Sequence, residues 1–310
     1  MVSAPVGLPY HRMARLEQRT GTWWRPLTTV AVVAGLLLAA GIVVGLVFGV
    51  VLITVPGVPS PSAMLDDARN PVDMAILFGP LALLVPAVVL GVRWGGGRRG
   101  TVHSVDGRVR WSLLLRAAAV VLPACLVLQW GLALLLDPPD PGVLRFDSPA
   151  VLALVIGIVL VPLQCAGEEY AFRGLPQQVL GTWLRSPVWG IVLPVPLFMA
   201  GHGYDWVGQV DIAVFALCTG FLVWKTGGLE LAIVAHTGNN LAVVTMTPAY
   251  PTLLEQGEID PAALLTSVPT TLVLTAGLSL WVSRRHGIGL LTPLRGSGRI
   301  HPAPAIAPVG

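Results

Sequence analysis

Charge is what this sequence has least of. Only 11% of its 310 residues are Asp, Glu, Lys or Arg, where a soluble domain carries about 25%. A water-soluble globule is excluded on that ground, and 54% hydrophobic residues with a mean hydropathy of +0.76 point to lipid. Lysine is nearly missing: Lys225 stands alone beside eighteen arginines, a bias of GC-rich genomes. Cysteine is scarce as well. Cys125, Cys165 and Cys218 lie in apolar runs without even pairing or metal spacing, so no disulfide framework is expected. The net charge of +3 is too small for nucleic-acid binding. Several protease signatures are absent. There is no HExxH, no GxSx element that opens a helix, no GxGD around Tyr204-Asp205, and no His suggestively spaced from a cysteine. No repeat of fixed period is visible.

What is present is a series of apolar runs near the 20 residues that span a bilayer. They fall at roughly 27–55, 72–93, 113–136, 148–167, 188–204, 210–226, 229–247 and 263–283. The expectation is an all-α polytopic membrane bundle of about eight transmembrane helices. The first run is too long for a signal-peptide core and is read as a retained helix. Placing the N-terminus inside puts 17 of the 19 Arg and Lys residues in or beside cytoplasmic segments; only Arg69 and Arg145 fall outside. That asymmetry predicts a multi-pass cell-membrane protein with both termini cytoplasmic. The loops of the other side, DDARNPVD, DPPDPGVLRFD and EQGEIDP, are acidic and proline-rich. Four regions follow: a cytoplasmic lead over 1–26, a packing half over 27–145, a working core over 146–285, and a Pro/Gly-rich tail over 286–310 expected to be disordered.

Ionisable residues inside spans are rare and mark function by default. Nearly all gather in the working core: Glu168, Glu169, Arg173, His202 and His236, with the amide of Asn240. Glu169 and Arg173 are four apart in the order that favours an ion pair. Glu168 sits about 100° around the helix and is free for other work. Phe198 lies one turn before His202, and His236 one turn before Asn240. An interhelical hydrogen bond would explain one such residue. It does not explain a Glu, two His and an Asn drawn from three runs.

A buried carboxylate can serve as general base for water and then hand the proton to a leaving amine. Imidazole and carboxamide N–H groups suit a developing oxyanion. Glu168 with His202, opposed by His236 with Asn240, therefore makes a peptidase site. The same Glu and two His could instead ligate zinc, as in His₂Glu sites, and spacing alone leaves both open. GEEYAFRG fits EExxxR, FMAGH fits FxxxH and HTGNN fits HxxxN. In that order, over about 150–245, the chain resembles the CPBP family of type II CAAX prenyl proteases and bacteriocin-processing (ABI) proteins.

The resemblance implies an intramembrane, glutamate-dependent endopeptidase acting on a membrane-associated or lipidated protein or peptide at the cytosolic side. Glu168 matches the water-activating glutamate and His202 the histidine that shares the task. His236 and Asn240 match the oxyanion pair, Glu169 and Arg173 supporting positions, and Phe198 a packing residue. The metal-free mechanism is preferred and zinc is kept as the alternative. The expected partners are a peptide substrate and the bilayer, with no nucleic acid and no assignment of oligomeric state. The rival from another class is a non-catalytic scaffold or self-immunity protein that retains the fold. A transporter is disfavoured for want of an inverted repeat. One conflict stands out. At 1.5 Å per residue, upright helices would leave Glu168 near the inner face and His202 some 20 Å deeper. Either the fourth helix runs on through Gln178 or Pro194 and Pro196 break the fifth.

Overall fold

The computed structural model describes residues 7–17 and 23–296. Among these the chain is helical throughout, and extended pairing is limited to two isolated bridges, Pro9–Arg295 and Ser104–Gly228. The helices are α1 Arg25–Thr54, α2 Pro71–Ala82, α3 Leu84–Trp94, α4 Trp111–Leu136, α5 Ser148–Glu169, α6 Leu175–Trp183, α7 Val188–Val192, α8 Val195–Met199, α9 Trp206–Thr226, α10 Glu230–Met246 and α11 Leu264–His286. Three of them, α2, α5 and α9, start at short polar side chains that cap free N–H groups. Asn70 accepts from Val72 N–H, Asp147 from Ala150 N–H, and Asp205 from Val207 and Gly208 N–H.

Polarity is inverted relative to a soluble protein. Glu168, Glu169, Arg173, Lys225, Glu230 and His236 are buried, while Leu38, Ile53, Val127, Leu135, Leu265 and Val273 face outward. Only a hydrocarbon surround makes that arrangement favourable.

The all-α membrane class is as expected, but the count of eight crossings is corrected. Among the described residues six stretches are long and apolar enough to span: Arg25–Thr54, Pro71–Trp94, Trp111–Leu136, Ser148–Trp183, Trp206–Thr226 and Pro261–His286. The run 188–204 does not form one span, because the chain turns at Pro194 between two five-residue helices, α7 and α8. The run 229–247 becomes α10, 17 residues or about 25 Å long, and packs against α4, α5 and α9 as a central strut.

The depth conflict is resolved by both proposed routes at once. After Glu169 the chain continues through a π turn, Tyr170–Gly174, directly into α6, so Glu168 lies well inside a 36-residue stretch. Pro176 has no N–H to return to Phe172. The wider turn absorbs this, with Leu175 N–H reaching back to Tyr170 O. Gly167, just before the glutamates, lets α5 close on the α2–α3 joint: a Cβ there would lie 2.0 Å from Leu81 O.

The loops sort by charge. At one end, Arg110 grips Glu230 with Nη2 2.6 Å from Oε2 and Nε 3.0 Å from Oε1, and also reaches Thr226 O. Lys225 Nζ donates to Gly289 and Thr292 carbonyls, and Leu294 N–H to Lys225 O. The 3₁₀ segment Tyr10–Glu17 docks on α6, with Arg12 donating to Gly181 and Leu184 carbonyls and His11 bonded to Arg185 O. So the lead, the 95–110 loop, the 227–229 turn and the start of the tail meet at one basic end. Of the tail at 286–310, residues 287–296 pack back here, and 297–310 lie outside the described residues. At the other end Arg69 donates to Val143 and Pro248 carbonyls, Tyr250 to Asp137 O, and Asp205 N–H to Gly257 O.

Candidate active site

The site forms where α5 and α10 run antiparallel. Side chains four apart on one helix face side chains four apart on the other, giving two rungs. In the first rung His236 Nε2 lies 3.6 Å from Glu168 Oε2. In the second Asn240 Nδ2 lies 3.4 Å from Gln164 Oε1. Glu168, Gln164 and His236 are buried and Asn240 is half-buried.

His236 is held on both edges. Its Nδ1 is 2.9 Å from Glu169 Oε1. An ionised carboxylate only accepts, so Nδ1 carries the hydrogen. Glu169 in turn sits 3.6 Å from Arg173 Nε, the ion pair expected from their spacing. Arg173 Nε donates to Thr219 Oγ1 at 2.9 Å, and its guanidinium lies 4.0 Å above the Phe198 ring. The ring face takes the place of a hydrogen-bond partner for Nη1 and Nη2, neither of which has one. Phe198 therefore does more than pack. It touches Arg173, stands 4.9 Å from the His202 ring centre and 6.5 Å from that of His236, and Phe215 closes on His236 at 4.8 Å.

The expected division between the two glutamates is half right. Glu169 does pair with Arg173, but it also orients His236, and Glu168 shares that same imidazole. Glu168 Oε2 is fully enclosed and has no hydrogen-bond partner. A buried carboxylate oxygen in that state calls for a water or a substrate group.

His202 is half-buried in the turn after α8. Its Nδ1 donates to Phe198 O at 2.9 Å, which leaves Nε2 as an acceptor in the neutral ring. No hydrogen bond or ion pair joins it to Glu168; its ring meets that of Phe198, which in turn faces the ring of His236. Nor does Asn240 bond to His236. It faces Gln164 and accepts from Asn239 Nδ2 at 3.1 Å.

Sequence reasoning passed over Gln164, Thr219, Asn239 and Gln129, all of which touch this network. Gln164 was findable, since it lies one turn before Glu168 on the same face. Cys165 also neighbours His236, which spacing along the chain could not reveal; its thiol is fully buried and donates to Gln164 Oε1. The zinc alternative does not fit. Among the described residues no three His, Cys, Asp or Glu side chains gather as a metal would need.

Residues 149–242, under a third of the chain, match the family model described as type II CAAX prenyl endopeptidase Rce1-like. That segment carries all three motifs and both rungs. The chain is also 25% identical over 233 residues to the uncharacterized protein YyaK of Bacillus subtilis (strain 168), covering 71% of this chain and 76% of that one. No solved structure matches.

Proposed function

We propose that this Rce1-like segment makes the protein an intramembrane endopeptidase that hydrolyses a peptide bond of a membrane-associated or lipidated protein with a glutamate-activated water. The observation that carries the reading is His236 held between Glu169 and Glu168, with an unpartnered Glu168 oxygen facing the imidazole. A protease of CAAX type is what the family match supports in general; the roles below are ours.

Glu168 Oε2 takes a proton from water as the water oxygen bonds to the scissile carbonyl carbon. The resulting oxyanion is met by N–H donors of His236 and of the carboxamide rung. Glu168 then returns the proton to the amide nitrogen, the C–N bond breaks, and a carboxylic acid and an amine leave, the acid passing its proton to the amine in water. Charge favours this assignment. Glu168 and Glu169 stand against Arg173 in a low-dielectric site, and a proton on Nε2 of His236 would balance the second carboxylate and give that nitrogen an N–H to offer. Glu169 and Arg173 act as positioning residues. His202 is assigned as the water's second partner, since Phe198 fixes its ring beside the pair and its Nε2 is an acceptor. The reaction needs no metal on this account.

The basic end is assigned to the cytosol by the distribution of Arg and Lys, which places both termini there in a cell-membrane protein. From Glu230, at the basic end of α10, His236 lies about 9 Å along the helix, against about 15 Å from Met246 at the far end. The site is therefore closer to the basic face than to the other.

Purified protein in proteoliposomes should cleave internally quenched peptides, farnesylated or unmodified. Glu168→Ala should lower the rate by about 10²–10⁴, and a chelator should not. An unchanged rate in Glu168→Ala ends the glutamate reading, and chelator inhibition reversed by zinc installs the metal reading. A cellular phenotype that survives Glu168→Gln combined with His202→Ala would instead assign the protein to the scaffold or immunity class.

A further inference from the structure

Four carboxamides and one thiol converge on the second rung, and their hydrogen bonds all run toward Gln164. Gln129 Nε2, from α4, donates to Asn239 Oδ1 at 3.2 Å. Asn239 Nδ2 donates to Asn240 Oδ1 at 3.1 Å, and Asn240 Nδ2 to Gln164 Oε1 at 3.4 Å. The Cys165 thiol adds a second donor to that oxygen at 3.2 Å. Gln164 is thus the terminus of a chain that crosses from α4 through α10 to α5. Its carbonyl is doubly occupied. Among the described residues its own Nε2 donates to nothing; the residue is buried as a whole, yet Nε2 is not among the fully enclosed atoms, so this N–H stays accessible.

A buried amide that accepts twice and donates nowhere is oriented toward a ligand acceptor. Gln164 lies one turn from Glu168 on the same face of α5, about 6 Å along the helix. That offset suits hydrolysis. A water against Glu168 and a donor about 2.8 Å from the oxyanion bracket a carbonyl carbon between the rungs. Each hydrogen bond in the chain also polarises the next, which strengthens the last N–H as a donor.

We propose that Gln164 is a catalytic residue that donates Nε2–H to the oxyanion beside His236, with Asn239 and Gln129 positioning it through Asn240. The inference rests on the endopeptidase reading and extends it to a residue outside the three motifs.

The test uses the whole chain in proteoliposomes with the same quenched peptides. Gln164→Met keeps the volume and removes the donor, and Gln164→Glu keeps the shape while replacing the donor with an acceptor. Each should lower kcat by about 10²–10³, the usual effect of one lost oxyanion donor, with KM held within about twofold. A peptidyl phosphonate that mimics the tetrahedral state should bind more weakly by a similar factor, whereas a non-cleavable ground-state peptide should not. Asn239→Ala should fall by less than Gln164→Met. Wild-type kcat in Gln164→Met overturns the inference while the endopeptidase reading stands. So does equal weakening of the phosphonate and the ground-state peptide, or a lost thermal transition in both variants, because each reveals a structural role. A wild-type protein that cleaves none of the peptides removes the parent reading and this inference with it.

Discussion

Adjacent glutamates on a helix point about 100° apart, yet Glu168 and Glu169 both reach His236, because an imidazole offers nitrogens on opposite edges. What separates the two carboxylates is the rest of their contacts. Each leaves its Oε2 without a hydrogen bond, but that of Glu169 stands 3.6 Å from Arg173 while its Oε1 takes the Nδ1 hydrogen, and that of Glu168 faces the imidazole Nε2 at 3.6 Å. Glu169→Gln should therefore leave the fold intact and lower kcat by roughly 10²–10⁴, as when a triad carboxylate loses its charge but not its shape. Glu169→Ala strands a buried guanidinium, for which about 3–5 kcal/mol of stability is the usual loss. Turnover and thermal melting of the two variants check this. A Glu169→Gln protein with wild-type kcat would show that its charge does not tune His236. At this scale the sequence was most informative about pairs within one helix. The Glu169–Arg173 spacing announced its ion pair, and the Phe198–His202 spacing announced its ring contact. Partners supplied by another helix were less visible, as with Gln129, which meets Asn239 across 110 positions.

Among the elements, the segment Tyr10–Glu17 shows what polar ends contribute to an apolar bundle. Gly181 admits it: a Cβ there would lie 1.6 Å from His11 O. His11 donates Nε2–H to Arg185 O, and its enclosed Nδ1 has no partner, as suits a neutral ring. Burial holds its pKa below the ordinary histidine value, the Arg185 carbonyl opposes that shift, and Arg12 and Arg295 add to it. The released segment then binds a proton more readily than the docked one. Docking is at full strength above about pH 6.5 and weakens as the pH falls below it. Protection factors of residues 10–17, taken against the intrinsic exchange rate at each pH, should fall on acidification through that value in wild type. His11→Gln, which cannot titrate, should flatten the profile. An equal acid response in both proteins would contradict the assignment. Element boundaries were legible wherever polarity or proline marked them, as at the starts of α2 and α5. The continuation of the fourth helix through Gln178 was legible as one of two routes, but the π turn that carries it was not, because Gly174 and Pro176 read as a stop. Its cause is tertiary: α6 must reach the basic end to meet Tyr10–Glu17 and the 95–110 loop.

For the whole molecule, the Arg/Lys asymmetry grouped the loops correctly before any contact was known. Lys225, Arg110 and Arg12 each bind carbonyls or carboxylates of other segments at the basic end. Counting spans by hydropathy failed where an apolar helix is packed inside the bundle or broken by proline. The central strut α10 is surrounded by protein and answers to packing, while the α7–α8 segment is too short to cross. The polar residues still pointed to the right place, since desolvation makes an unpaired charge so unfavourable that Glu168, Glu169, Arg173 and His236 had to find one another. The account depends on Glu168 and His236 working as one unit across the α5–α10 contact. The direct measurement is a double-mutant cycle on kcat with Glu168→Gln, His236→Gln and the pair. Groups that act as a unit lose most of their effect together, so the double variant should fall no more than about tenfold below the worse single variant. Losses that multiply would mean that the two side chains act independently and would contradict the account.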